Sequence, residues 1–135
     1  MDTEFEATFI DIDPALIREK LRGLGANCLK PETLMRRTVF HPPAGVEGWL
    51  YDGVEITIDT WPGLEPFVEI EGPSEKAVCK VSSELGLDYA QALFGAVDVV
   101  YEKKLGIPPN VINMQTPEIT FENPPKKYLT PQAND

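Results

Sequence analysis

The sequence predicts an α+β domain, an antiparallel sheet of about five strands with helices packed against its outside. Three observations predict it. Short stretches alternate apolar and polar residues with a period of two, as half-buried strands do. Asp52-Gly53 supplies the turn of a tight hairpin between two of them. Longer stretches with helical spacing, bounded by capping residues, stand before and after this strand-rich centre. The length of 135 residues fits one folded unit, with residues 1–106 as the domain and 107–135 as a proline-rich tail.

"EFEATFIDI" opens the chain as a strand, with Glu4, Glu6 and Thr8 on one face and Phe5, Ala7 and Phe9 on the other. In "DPALIREKLRGLGA", Asp13 suits the N-cap, Pro14 the first helical position and Gly25 the stop. Ile17, Leu21 and Leu24 form the buried stripe, leaving Arg18, Glu19, Lys20 and Arg22 to the solvated side. "TLMRRTVFH" reads as a second strand, ended by Pro42 and Pro43. "GWLYDGVEITIDTW" is the hairpin, with Val54, Ile56 and Ile58 opposite Glu55, Thr57 and Asp59. "FVEIEG" follows, with Val68 and Ile70 on one face and Phe67, Glu69 and Glu71 on the other. A helix from Ser74 to Gly86 buries Ala77, Val78, Val81 and Leu85, and a further one runs from Asp88 to Gly106 with a break at Gly95. Trp49 and Trp61 are expected in the core or beneath a loop, and His41, alone at a strand end, in a structural or surface role.

A formal net charge of −10 argues against nucleic acid and anionic membrane surfaces as partners, because both demand clustered Lys and Arg. Cations, or anions escorted by cations, are the natural ligands. No stretch approaches a membrane span, and no N-terminal signal peptide is apparent. The expectation is therefore a cytoplasmic chain with Cys28 and Cys79 as free thiols.

Two acidic pairs, Glu4/Glu6 and Glu69/Glu71, share one spacing on two separate strands. If those strands meet, four carboxylates converge, and a hard divalent cation relieves their repulsion. The plainer reading is a wetted sheet face, since glutamate alternating with apolar residues is how a half-exposed antiparallel strand looks anyway. Arg36 and Arg37, adjacent on one strand, face opposite ways, so one of them needs an anionic partner inside.

"EFEATFIDIDPALIREKLRGLGA" resembles the opening of CYTH domains, the triphosphate tunnel metalloenzymes that include class IV adenylyl cyclases and thiamine triphosphatases. "DGVEITIDTWPGLEPFVEIEGPSEKAV" and "ALFGAVDVVYEKKLG" resemble the closing half of that fold. The resemblance implies that Glu4, Glu6, Glu69 and Glu71, with Asp59 as a weaker match, hold Mg2+ or Mn2+. It implies that Arg36 or Arg37 contacts phosphate, and that the ligand is a triphosphate compound, ATP-like or inorganic polyphosphate. The implied chemistry is cyclisation of ATP or hydrolysis of a terminal phosphate. Two departures bear on it. Thr8 stands at the opening motif's lysine, and the basic middle strands are missing, which weakens the grip on phosphate. The alternative is a non-catalytic metal- or anion-binding or structural dimerisation module. A five-stranded sheet cannot close into a tunnel, so its free edges predict a homodimer.

Overall fold

The computed structural model describes residues 4–35, 44–95 and 97–108. Arg36, Arg37, His41 and nearly all of the proline-rich tail lie outside the described residues. In chain order the elements are β1 (Phe5–Phe9), α1 (Pro14–Gly23), β2 (Asn27–Met35), β3 (Ala44–Tyr51), β4 (Val54–Thr60), β5 (Phe67–Gly72), α2 (Glu75–Glu84) and α3 (Val97–Leu105). A single 3-10 turn, Tyr89–Gln91, lies between α2 and α3. The strands form one antiparallel sheet in the order β1-β5-β4-β3-β2. Among the described residues it is open, with β1 and β2 at its edges.

Local chemistry accounts for most of these boundaries. The Asp13 carboxylate accepts from the Ala15 amide at 3.0 Å, and Pro14 needs no donor at the helix start. At the far end, the Ala26 amide donates to the Leu21 carbonyl at 2.9 Å and Gly25 takes a φ of 78°, so the Lys20, Leu21 and Arg22 carbonyls all find donors as the chain leaves α1. In the β3–β4 hairpin, Asp52 and Gly53 have φ values of 52° and 76°, the two positive angles whose twist matches the flanking strands. β2 begins six residues before the stretch predicted for it, at Asn27 rather than Thr33. Pairing with β3 holds this weakly patterned segment extended, through two register shifts that absorb its irregularity.

The sheet has two differently dressed faces. On one, Val54, Ile56, Ile58, Val68, Ile70, Ala7 and Phe9 pack against Ile17 and Leu21 of α1 and Val78, Val81 and Leu85 of α2. Each of these large aliphatic side chains contributes roughly 1.5–3 kcal/mol by leaving water. On the other face, at one end only, Phe67 joins Trp61, Val100, Tyr101 and Ile107 in a second cluster. Strand alternation puts Phe67 with Glu69 and Glu71, so α3 lies on the acidic side of the sheet, away from α1 and α2. Thus α1 and α2 pack on one face of the sheet and α3 on the other. Tyr101 fixes α3 there by donating to the Pro62 carbonyl at 2.6 Å. Burial holds its hydroxyl pKa above the ordinary tyrosine value. Tyr101→Phe is expected to cost about 1 kcal/mol in chemical denaturation, because it leaves that carbonyl without its donor.

The stretch from Asp88 departs from the helix predicted for it. After the 3-10 turn, Leu93 pairs with Thr8 through two backbone hydrogen bonds of 2.9 and 2.8 Å, covering the outer edge of β1. Gly95, at a φ of 125°, then turns the chain toward α3. Satisfying an exposed strand edge outweighs the helical spacing of this segment. The other edge, β2, carries Pro31 and the two register shifts, which make it a poor template for another strand. No helix among the described residues is long and apolar enough to cross a membrane.

Candidate functional site

The pairing of β1 with β5 brings the two acidic pairs together. Glu6 stands opposite Glu71, which stands opposite Glu55 of β4, so three carboxylates form a row across adjacent strands. The next row is Thr8, Glu69, Thr57 and Gly48, and the one beyond holds Phe67, Asp59 and Val46. Alternation sets all of these on the face opposite the α1–α2 core. Glu4 extends the first pair on the same face and is hydrogen-bonded to Glu71.

This surface is graded from wet to dry. Glu4, Glu6 and Glu55 are exposed, and Glu69 and Glu71 are half-buried. Asp59, beside the second apolar cluster, is only 6% exposed. The four glutamates thus share one face of the paired strands, on an open slope that descends toward α3, with no closed tunnel among the described residues. Thr8 is 3% exposed, so the position of the resembling motif's lysine is dry and neutral here.

The crowding has an electrostatic signature. The Glu71 carboxyl is pushed up to about 7, first by its hydrogen bond with Glu4, then by burial and by the charges of Glu4, Glu6 and Glu55. Burial, with help from Glu4, also raises Glu6 above the ordinary carboxylate value. Near neutrality, then, Glu71 still holds a proton that an ordinary carboxyl group would have lost.

Sequence reasoning missed two charged residues. Lys30, on β2, stands opposite Gly48, and its Cβ lies 3.6 Å from where a Gly48 side chain would begin. This places it on the acidic face, in a row with Glu69. Its strand had been recognised only from Thr33 onward. Glu47 is the second, and it faces the other way, toward α1. It is 5% exposed and accepts from Arg18 Nε at 2.9 and 3.1 Å and from Trp49 Nε1 at 2.7 Å. Arg18, expected on the solvated side of α1, is drawn inward to this carboxylate. The signal was present in "VEGWLY", where alternation sets Glu47 beside Trp49 and Tyr51 on the apolar face.

Among the described residues, no group of three or more Asp, Glu, His or Cys side chains is placed to encircle a divalent ion. Magnesium seldom requires such a cage, since it keeps several waters and commonly takes only one or two protein carboxylates with phosphate oxygens. The Glu4–Glu71 pair fits that minimal demand. Cys28 is exposed on β2 and Cys79 half-buried on α2, both as free thiols.

Neither a family model nor any curated protein matches this sequence. Among solved structures, the chain is similar to the PH1012 protein from Pyrococcus horikoshii OT3. The identity is 14%, the alignment covers 67% of this chain and 94% of that one, and the TM-score is 0.48. That likeness is too distant to carry either fold or function across.

Proposed function

We propose that this chain is a divalent-cation-binding module of the shortened triphosphate-tunnel kind. In this reading Glu4 and Glu71, flanked by Glu6 and Glu55, hold a hydrated Mg2+ or Mn2+. Glu69 and Asp59 set the negative field further along the face. The ion in turn carries a triphosphate compound, whose oxygens complete its coordination. The supporting observation is the pairing of β1 with β5, which sets Glu6 opposite Glu71 and brings Glu4 within hydrogen-bonding reach of Glu71. Where two carboxylates come this close, a doubly charged ion satisfies both at once.

Binding draws more support than turnover. Phosphoryl chemistry relies on basic groups to offset charge that builds on the transferring phosphate. Among the described strand residues, Lys30 is the basic side chain on the acidic face. Arg18 is committed to Glu47 on the opposite side.

Calorimetric titration with Mn2+, with and without tripolyphosphate, tests the proposal. Saturable Mn2+ binding is expected, strengthened by tripolyphosphate. Glu4→Gln with Glu71→Gln should weaken it by at least about tenfold, as the loss of two charged oxygen ligands implies. Equal Mn2+ affinity in that double variant would remove the site. Mn2+ binding without phosphate release supports the module over an enzyme, whereas manganese-dependent release of phosphate or pyrophosphate supports turnover.

A further inference from the structure

A cavity of about 430 Å³ lies between the β1–α1 connection, the segment after α2 and Lys103 of α3. Its volume lies in the range of small-molecule sites. Phe9, Leu87 and Leu93 give it an apolar wall, and Asp11, Asp88 and Lys103 give it charge. Two segments at its rim bend through left-handed backbone, at Asp11 with a φ of 57° and at Gly86 with 76°. An aspartate in that region stores strain, which tends to gather where a surface is shaped for binding.

The charges are unequally occupied. Asp11 is paired with Lys104, and the Asp88 carboxylate caps the 3-10 turn by accepting from the Ala90 amide at 3.0 Å. Lys103 has no ion-pair partner among the described residues. The same holds for Lys20 of α1, whose ammonium packs against the cavity-lining Gly86, in the space that a side chain there would fill. With Asp11 already neutralised, the two free ammonium groups outnumber Asp88. In a chain with a net charge of −10, two ammonium groups without ion-pair partners among the described residues, close to one apolar wall, are a local exception.

We infer that this cavity is a second binding site, for a small organic anion whose apolar body lies on Phe9, Leu87 and Leu93 and whose charged head reaches Lys103 and Lys20. The site is independent of the cation site on the sheet. The head group is a carboxylate or a phosphate monoester, since both accept charge-assisted hydrogen bonds from ammonium groups. The body is short, because the cavity measures only about 430 Å³.

Amide-resolved NMR titration of the full chain with hexanoate, hexyl phosphate, hexanol and acetate tests this. Hexanoate or hexyl phosphate should move the amides of Asp11, Ile12 and Gly86–Leu93 saturably at millimolar concentration, without moving Glu55 or Glu71. The tighter of the two identifies the head. Hexanol and acetate, each lacking one half of the ligand, should bind at least about tenfold more weakly. Lys103→Gln and Lys20→Gln should each weaken the better ligand by about tenfold while leaving the rest of the spectrum in place. Three results would each overturn the assignment. These are an absence of saturable shifts with either amphiphile, hexanol binding as well as hexanoate, or undiminished affinity in both lysine variants.

Discussion

Arg18→Ala is expected to destabilise the protein by about 3 kcal/mol, the largest loss foreseen for any surface-accessible residue here. The reason is the carboxylate it leaves behind. Glu47 is 5% exposed, so without Arg18 its charge is left with the Trp49 indole N–H, 2.7 Å away, in place of the water it has lost. Glu47→Gln keeps an acceptor for Trp49 and surrenders only the ionic component, with an expected cost of about 1 kcal/mol. Replacing both partners together, as Arg18→Met with Glu47→Leu, should recover much of the loss, because no buried charge then remains. Urea denaturation followed by tryptophan fluorescence reads all three. If Arg18→Ala unfolds at the wild-type midpoint, Glu47 is solvated in the folded protein and the pair contributes little.

The second expectation concerns pH. The Glu71 carboxyl stands at about 7 in the folded chain against an ordinary value of 4.5. The folded state therefore binds this proton more tightly than the unfolded chain does. Its stabilising contribution is fully present below about 4.5 and is lost as pH rises through about 7. Unscreened, such a shift corresponds to roughly 3 kcal/mol. Contact with water on this open face reduces it to about 1.5 kcal/mol. Metal-free protein should thus be less stable at slightly alkaline pH than at mildly acidic pH. Glu71→Gln should flatten that dependence and raise the alkaline stability by a similar amount. Thermal melts in chelator across this window measure both. A wild-type melting temperature that climbs with pH through neutrality would show that the Glu71 carboxyl is not raised in the folded chain.

The same variant separates stability from binding. Glu71→Gln is expected to strengthen the metal-free fold at alkaline pH while weakening the cation site, a trade common where like charges are gathered for a ligand. Saturating Mn2+ should stabilise wild type and leave the Glu4→Gln, Glu71→Gln double variant little changed, because only the folded state presents the paired carboxylates.

Much of the architecture was legible in residue order. Asp13-Pro14 and Gly25 mark the ends of α1, Ser74 and Gly86 those of α2, and Asp52-Gly53 the hairpin. Each works within a few residues, through a cap, a missing donor or a positive φ, so local chemistry suffices to read it. The faces of β1, β4 and β5 were equally legible, because strand alternation needs no knowledge of neighbours. Where distant partners compete, local reading failed. Spacing from Asp88 suggested helix, but the unpaired edge of β1 claimed Leu93 for a backbone bridge. Arg18 lay on what looked like the wet side of α1 until Glu47 gave it reason to turn inward.

By itself the sequence determined which residues share a face: glutamates with glutamates, and valines and isoleucines with their like. Periodicity along one strand is enough for that. Only the tertiary structure decided that Glu6 stands across from Glu71, that α3 dries the Asp59 end of the acidic slope, and that Lys103 lines a cavity whose wall residue Gly86 meets the Lys20 ammonium. Those facts depend on register and packing between segments tens of residues apart. They are set by the summed burial of two apolar clusters, which no single stretch of chain encodes.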